Sequence, residues 1–374
     1  MAVSKGSIAE LFADLPDPRL DRNKKHRLDD ILTIALCAVL SGADTWAEVE
    51  FYGRCKEPFL RQFLALPHGI PSHDTFNRVF ALLDPKLFAE CFGRWMAAVG
   101  EATGLVPVAI DGKAVRGAER PTASGRLHLV SAWATANGIA LGQQAVADGS
   151  NEVAAIPELL RLLDLTGTLV TLDAAGCQKE NAALIRARGG HYLLAVKGNQ
   201  PGLSDAVGAV FDRACAADFA GVRYAAHASE DDGHGRHEER YVTAIYDPDG
   251  LPAGWPDVAA VVLVSRERVV KGERASTAHY YLTSCRGTAA QLAGWVRGHW
   301  GIENGLHWVL DVAFAEDANR TRDANAGANL GLLRRIATTL LKRVEAKGSI
   351  KGRRRQAGWD NTFLIKALQG IPAL

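Results

Sequence analysis

Three carboxylates stand where metal-dependent phosphodiester chemistry would need them. Asp111 directly follows one short apolar run, and Asp173 directly follows a second, Thr168–Leu172. Glu303 comes late in the chain, inside a stretch with helical spacing, Trp295–Leu310. Phosphodiester transfer needs an activated nucleophile and a stabilised leaving oxygen, and two divalent ions held by carboxylates can provide both. An aspartate after a strand is ordinarily a turn or cap residue. The prediction of a metal-dependent phosphodiester site therefore depends on the joint placement of all three carboxylates.

The helical stretch around Glu303 allows several interpretations. His299, Trp300, Glu303 and His307 share one face at helical spacing. Such a face suits DNA, with Trp300 stacking on an unpaired base. It also suits a core tryptophan flanked by hydrogen-bonded histidines. A zinc site at His299, Glu303 and His307 is the weakest interpretation, because the stretch lacks the HExxH arrangement of zinc proteases.

Cations and amides near the two aspartates are candidates for contact with phosphate. Lys113 and Arg116 follow Asp111 by a few residues. A second group follows the apolar run Tyr192–Val196, and Arg297 lies on the glutamate-bearing stretch. The second group consists of Lys197, Asn199 and Gln200. Solvated turns explain these residues equally well, so both interpretations stay open.

Composition sets broad limits. The chain has 374 residues, 48% of them hydrophobic, and a net charge of +1, which gives no bulk argument for nucleic acid. Basic runs at Arg22–Arg27 and Lys347–Arg355 could bind phosphate or form solvated segments. Six scattered cysteines without CxxC spacing predict reduced thiols rather than a zinc site. The N-terminal sequence lacks the apolar stretch of a signal peptide, and Ile31–Leu40 is too short to span a bilayer. We therefore expect a cytoplasmic protein without a membrane partner.

Residues 1–104 read as an all-helical N-terminal domain. Separate helices are predicted over Thr45–Tyr52 and Pro58–Leu64, and another over Ser72–Leu83. The last of these follows a Gly/Pro-containing loop and carries Arg78, an arrangement similar to a helix-turn-helix. Ordinary helix packing is the favoured explanation for this segment, so DNA binding by residues 1–104 depends on other arguments.

From residue 105 the pattern becomes α/β. The predicted element order is β-β-β-α-β-α-β, with a hairpin at Asn137-Gly138 and the aspartates on the first and fourth strands. This order matches the ribonuclease H-like fold. We therefore predict the first part of a ribonuclease H-like catalytic core over residues 105–200 and a β-rich insertion over 201–288, with a polar loop at Ser229–Glu239. The glutamate-bearing helix and the rest of the core follow at 289–345, and a basic C-terminal segment at 346–374.

These segments carry a resemblance that extends over nearly the whole chain. The sequence is similar to insertion-sequence transposases of the DDE class, in the group that includes the H-repeat-associated proteins. The segments that carry it are LPDPR, PSHDTFNRVF, AIDGKAVRGA, LVTLDAAGCQ, HYLLAVKGNQ and HWGIENGLHWVLDVAFAEDANR. The resemblance implies a catalytic triad of Asp111, Asp173 and Glu303, Mg²⁺ or Mn²⁺ as cofactor, and cutting and joining of terminal inverted repeats. It departs from the tyrosine-arginine-glutamate-lysine signature of the wider class, where this chain has Val296, His299 and Leu310.

Three functions are compatible with the sequence. The first is an active transposase that cleaves element ends and joins them to target DNA, acting as a homodimer because two ends must be brought together. The second is a structure-specific nuclease with the same fold, which would cleave without joining. The third is a non-catalytic DNA-binding relic, which the presence of all three carboxylates disfavours.

Overall fold

The structure is a computed structural model, and it describes residues 12–99, 105–119, 126–147, 149–233, 236–270 and 273–369. The chain forms two compact units, each assembled from segments that are separate in sequence. Unit 1 comprises Met1–Ala102, Gly112–Leu163 and Glu303–Leu374. Unit 2 comprises Thr103–Asp111 and Asp164–Ile302.

Helices begin unit 1 within its described residues, as the sequence predicts. They are α1 (Leu28–Leu40), α2 (Trp46–Leu60), α3 (His73–Leu82) and α4 (Pro85–Val99). Every residue of α1 from Asp30 onward is buried, which explains its almost uniformly apolar sequence. Thr45 begins α2 with a capping box, in which the carboxylate of Glu48 accepts from Thr45 N at 3.0 Å.

The two helices predicted over Thr45–Tyr52 and Pro58–Leu64 are one continuous helix, so that prediction is wrong. Proline removes a helical hydrogen bond and normally interrupts a helix. In α2 only Phe59 and Leu60 follow Pro58, so the missing bond falls in the last turn. The sequence pattern also predicts a helix over Pro85–Glu101, which corresponds to α4, and its predicted end at Glu101 lies outside the described residues.

The second segment of unit 1 contains strands. Strand β1 (Val106–Glu119) starts in unit 2 and continues into unit 1. The apolar run before Asp111 predicts a shorter strand, over Val106–Ile110. Strands β2 (Arg126–Ala134) and β3 (Ile139–Ala145) pair antiparallel, and the order within unit 1 is β3-β2-β1. Gly138 adopts a φ of 65° between β2 and β3, which confirms the predicted hairpin. Helix α5 (Glu152–Leu162) follows.

Unit 2 is a mixed sheet with helices. Its elements in chain order are β4 (Thr168–Leu172), α6 (Lys179–Ala187), β5 (His191–Val196), α7 (Pro201–Ala216), β6 (Tyr224–Gly233), β7 (Arg236–Tyr246), β8 (Ala260–Val270), β9 (Glu273–Thr283) and α8 (Ala289–His299). The strand order is β1-β4-β5-β9-β8-β7-β6. Strands β1, β4 and β5 are parallel, and each later pair is antiparallel.

The segment 201–288 differs from its prediction in two ways. It begins with helix α7, although the pattern predicts only β-rich structure there. The predicted polar loop Ser229–Glu239 lies mostly in β6 and β7, apart from residues 234 and 235, which are outside the described residues. Strand β7 runs between β6 and β8, so cross-strand hydrogen bonds support its polar sequence there.

The third segment of unit 1 starts at Glu303. Residues Glu303–His307 form a π-helical turn, followed by α9 (Trp308–Phe314), α10 (Ala324–Arg343), α11 (Ile350–Trp359) and α12 (Asn361–Gln369). The helix predicted over Trp295–Leu310 is therefore not regular, because α8 ends at His299 and the π turn intervenes.

The predicted basic C-terminal segment is largely helical in its described part. Arg354, in α11, is 4% exposed and donates to the backbone carbonyls of Val39, Ala43 and Ala313. This arginine therefore stabilises unit 1 instead of binding solvent or phosphate. The mixed α/β class with a helical N-terminal region is confirmed. None of the described helices combines the length and apolarity that crossing a membrane requires.

Candidate active site

Asp111 and Asp173 are neighbours within unit 2. Strands β1 and β4 are parallel, and their last paired residues are Ile110 and Leu172. Asp111 is the next residue of β1 and Asp173 directly follows the end of β4, so the two residues lie side by side with a strand spacing of about 5 Å. Both side chains are half-buried. The register thus places the two aspartates next to each other, as the sequence predicts, but Asp111 lies inside β1 and not at the strand end that the apolar run suggests.

The loop after Asp173 is fixed by hydrogen bonds within unit 2. The Oδ1 atom of Asp173 accepts from Gly176 N at 3.1 Å. Asn199 Nδ2 donates to Ala174 O at 2.6 Å, and Gln200 Nε2 donates to Cys177 O at 3.0 Å. These amides were predicted to contact phosphate, but their donors hold the loop that positions the carboxylate. Sequence alone does not show this bracing, because it depends on how two separate loops meet.

Residues of α8 lie near the same edge of unit 2. His299 Nδ1 is 2.9 Å from the hydroxyl of Thr171, two residues before Asp173. Burial lowers the pKa of His299, and the nearby Asp173 only partly opposes this effect. His299 is therefore a neutral side chain at pH 7. Arg297 pairs with Asp231 at 2.7 Å, and the neighbouring Trp300 is 52% exposed.

Glu303 belongs to unit 1, where it is exposed at the first position of the π turn. His307, at the last position of the same turn, is buried, and burial together with Arg335 lowers its pKa to about 4. The two residues do not share an exposed surface, although helical spacing predicts a common face. His307 is thus a core histidine, as one interpretation of this stretch has it, but the core tryptophan of that interpretation is not found, because Trp300 is 52% exposed.

Lys113 and Arg116 also belong to unit 1 and have different environments. The ammonium of Lys113 is 2.7 Å from both Asp311 and Asp317 and 3.6 Å from Glu316, and its side chain is 9% exposed. These three carboxylates satisfy its charge, so the geometry gives no support to its predicted phosphate contact. Arg116 is 78% exposed and touches only the rim of this cluster, with Nε 3.3 Å from Asp317.

A buried ion pair in the same cluster was not predicted from the sequence. Arg335 and Glu316 are both fully buried, and Arg335 Nη1 donates to Glu316 Oε1 at 2.8 Å. Arg335 Nε also donates to Ser131 Oγ at 2.9 Å. Burial alone would raise the pKa of Glu316, but Arg335, Arg334 and Lys113 hold it below its ordinary value. The one feature of the sequence that draws attention to Glu316 is the segment AEDANR, which belongs to the resemblance to DDE-class transposases.

Two adjacent carboxylates fit the needs of a hard divalent ion. Mg²⁺ normally takes one or two carboxylates and keeps several waters. Asp111 and Asp173 are two such carboxylates, and both lie in unit 2. In the part of the chain that the structure describes, no three His, Cys, Asp or Glu side chains are grouped closely enough to hold a metal ion by themselves.

Comparison with known proteins decides the family. The family described as "Transposase DDE domain" matches residues 103–340, and "DDE_Tnp_1-associated" matches residues 9–96. The chain belongs to the DDE transposase family. It is 35% identical to "Putative transposase YncI" of Escherichia coli O157:H7, covering 98% of this chain and 96% of that protein. It is also 35% identical to "H repeat-associated putative transposase YhhI" of Escherichia coli strain K12, covering 97% and 98% respectively.

The predicted insertion-sequence transposase resemblance is therefore confirmed. Among solved structures, the piggyBac transposase synaptic complex with hairpin DNA matches with a TM-score of 0.43 and 11% identity, covering 100% of this chain and 80% of that one. That similarity is too low to establish the topology of a DDE transposase core here. Assignment to the DDE transposase family therefore rests on the family match, and the position of the candidate site rests on the geometry within unit 2.

Proposed function

We propose that this DDE transposase cleaves the ends of its element and transfers them into target DNA in a metal-dependent reaction. The observation that carries the proposal is the pair Asp111, within β1, and Asp173, directly after the neighbouring parallel strand β4, in a chain of this family. The chain order β1-β2-β3-α5-β4-α6-β5 supports a ribonuclease H-like core. We further propose that Glu303 completes the catalytic set. The support for Glu303 comes from the sequence resemblance, because it belongs to the other unit.

Asp111, Asp173 and Glu303 would hold Mg²⁺ or Mn²⁺, two ions in all. Bound there, the ions would supply activation of the attacking oxygen and stabilisation of the leaving oxygen. The protein's own part is to orient the carboxylates. Gly176 N fixes one oxygen of Asp173, and Asn199 and Gln200 hold the loop that supplies this donor.

DNA is the proposed partner, as terminal inverted repeats and as target, with the protein acting as a homodimer. The exposed residues Arg116, Lys197, Arg297 and Trp300 remain the best candidates for DNA contact. Five other residues are weaker candidates for DNA contact. The side-chain amides of Asn199 and Gln200 already donate to backbone carbonyls, and His299 is neutral. Lys113 and His307 are buried. Residues 1–104 are proposed to read the element ends, and the protein is proposed to act in the bacterial cytoplasm, associated with the nucleoid.

Substitution of Asp173 by asparagine tests the proposal. Asp173→Asn keeps the Oδ1 acceptor for Gly176 N and removes the charge. Asp164→Asn is a matched control, because Asp164 Oδ1 likewise accepts from a backbone N–H, that of Thr166, at 3.0 Å, and lies before β4. With labelled element-end DNA and Mg²⁺, we expect Asp173→Asn to lose nicking and joining by at least about a thousandfold. Asp164→Asn should match the unmodified protein, and EDTA should abolish both reactions.

Other outcomes separate the alternatives. Metal-dependent cleavage without any joined product would indicate a structure-specific nuclease. Specific DNA binding without cleavage in Mg²⁺ or Mn²⁺ would indicate a relic. Full cleavage by Asp173→Asn would show that the proposed site is wrong. Glu303→Gln, compared with the exposed Glu345→Gln, tests the third carboxylate in the same assay.

A further inference from the structure

Two residues of unit 1, Trp133 and Lys342, hold the π turn that begins at Glu303. Trp133 of β2 lies against Gly305, the middle residue of the turn, so closely that a Cβ at Gly305 would lie 2.9 Å from Cζ2 of the indole. Lys342 of α10 donates through Nζ to Gly305 O at 2.9 Å. We name Trp133 and Lys342 the turn clamp, because both contact the same glycine of the turn.

The two residues of the turn clamp also contact each other. Lys342 Nζ lies 4.1 Å from the centroid of the Trp133 ring, which is the geometry of a cation–π interaction. Gly138 leaves room for both side chains, since a Cβ there would lie 3.1 Å from Lys342 Nζ and 3.5 Å from Trp133 Cζ2. The indole, the ammonium and the turn are therefore one packed set, in which a change at one member reaches the others.

Lys342 is an unfavourable choice if stability alone is considered. Its side chain is half-buried, and burial together with Arg353 lowers its pKa to about 8. Within the described part of the chain, no carboxylate forms an ion pair with it. Removing an ammonium from water without a carboxylate partner is unfavourable. A role beyond stabilising the fold explains a lysine at this position better.

The backbone is irregular on both sides of the contact between Trp133 and the turn. The pairing of β2 with β3 shifts by one residue between Ala132 and Trp133, so that the register passes over Leu141. The turn itself is π-helical and not α-helical. Such irregularities are less stable than regular elements, and both are frequent near functional sites, where they direct a side chain. Two irregularities at one contact indicate that the position of the turn matters for function.

The state of the turn determines the direction of Glu303. A π-helical turn closes over one residue more than an α-helical turn. Conversion of the turn to α-helical spacing would rotate Glu303 by about 100° around the helix axis relative to α9. Leu306 and His307, at the other end of the turn, are buried and stay anchored, whereas Glu303 is exposed. A rotation would therefore change where the carboxylate of Glu303 lies and leave the core in place.

We propose that Trp133 and Lys342 are positioning residues for Glu303, because they hold the π turn in the register that fixes the direction of its carboxylate. Residues that orient a metal ligand typically change metal affinity by about ten- to a hundredfold when they are replaced. The proposal rests on the proposed role of Glu303 in holding a metal ion. The contacts between the clamp and the turn are independent of that role.

Lys342→Met is the most selective variant for a test. It removes the donor and the charge and keeps an unbranched apolar chain beside Trp133. Lys366→Met is a matched control, because it makes the same substitution at an exposed lysine of α12. Gly305→Ala is a second variant, which displaces the turn from its own side. Its control is Gly301→Ala, where a Cβ meets nothing within 4 Å.

Two measurements on the full-length protein without DNA report on the clamp. The first is hydrogen exchange of the 303–307 amides in EDTA, and the second is the Kd for Mn²⁺, obtained from the electron paramagnetic resonance signal of the free ion. In Lys342→Met we expect exchange to be about tenfold faster and Mn²⁺ to bind about tenfold more weakly. Lys366→Met should match the unmodified protein in both.

A double variant shows whether Lys342 acts through Glu303. If it does, Lys342→Met combined with Glu303→Gln should bind Mn²⁺ no more weakly than Glu303→Gln alone, because the orientation of an absent carboxylate has no effect. Additive losses would mean that Lys342 affects the metal by another route, which would overturn the proposal.

The remaining outcomes separate the clamp from the proposed catalytic site. Unchanged exchange in Lys342→Met would show that the clamp does not hold the turn. Faster exchange, or a lower melting temperature, with unchanged Mn²⁺ affinity would leave a structural role only and refute positioning. If Lys342→Met does not fold, Gly305→Ala decides, and Mn²⁺ affinity equal to that of Gly301→Ala would refute the proposal. Glu303→Gln with unchanged Mn²⁺ affinity would instead remove Glu303 from the proposed catalytic set, and the positioning role would fall with it.

Discussion

At the scale of single residues, the chain uses similar charged groups in two ways. Asp111 and Asp173 are half-buried neighbours on adjacent parallel strands, and ionised carboxylates that lie close together repel each other unless a cation is present. Glu316 and Lys113 are paired inside unit 1, where burial makes the loss of either partner unfavourable. Partner geometry, and not residue type, separates a candidate catalytic carboxylate from a structural one.

His307 gives a prediction for the pH dependence of stability. Its pKa falls from the ordinary 6.5 to about 4 in the folded protein because of burial and Arg335. Between these values the unfolded chain binds more protons, so stability is complete above pH 6.5 and is lost as the pH falls towards 4. The loss for this residue amounts to about 3 kcal/mol.

Urea unfolding of His307→Gln from pH 7.5 to 4.5 checks this prediction. We expect the variant to lose less stability than the unmodified protein as the pH falls, while His68→Gln, at an exposed histidine, keeps the original slope. An identical pH slope in His307→Gln and the unmodified protein would contradict a neutral, buried His307.

At the scale of elements, local patterns predicted what local interactions determine. The Asn137-Gly138 hairpin and the paired strand segments that precede Asp111 and Asp173 follow from turn chemistry and apolar runs. The extension of β1 and the strands over Ser229–Glu239 were missed, because pairing with distant strands stabilises their polar sequences. The bracing by Asn199 and the ion pairs of Lys113 depend on residues far apart in sequence, for which a single sequence contains no pattern.

The π turn at Glu303–His307 gives a prediction for the effect of a side chain at Gly305 on stability. A Cβ added at Gly305 would lie 2.9 Å from Cζ2 of Trp133, and Gly305 O accepts from Lys342 Nζ at 2.9 Å. Because Trp133 is buried and cannot move aside, Gly305→Ala should destabilise the protein by about 1–3 kcal/mol. Gly301→Ala is the matched control, since a Cβ there meets nothing within 4 Å, and it should be neutral or slightly stabilising. Chemical denaturation measures both, and equal stability of the two variants would mean that the turn tolerates a side chain.

At the scale of the whole molecule, the chain passes between its two units four times, and Asp111 and Glu303 each lie beside one of these passages. Unit 1 combines the N-terminal helices with the C-terminal ones. In its buried interior, Asn329 Nδ2 donates to Phe80 O at 2.8 Å and to Leu83 O at 3.0 Å. Arg354 likewise donates to Val39 O at 2.7 Å, so helices from both ends of the chain share one core.

This shared core predicts that residues 1–104 do not fold alone, although the sequence pattern suggests a separate domain there. Without α10 and α11, the buried carbonyls of Phe80, Leu83 and Val39 would lose these donors, and apolar surface of α1 would be exposed. We expect an isolated 1–104 fragment to bind a hydrophobic dye and to unfold without a cooperative transition, whereas the full chain unfolds cooperatively. Sharp unfolding of the fragment with little dye binding would instead establish residues 1–104 as an independent domain, and the bonds from Asn329 and Arg354 would then join two folded parts and not complete one.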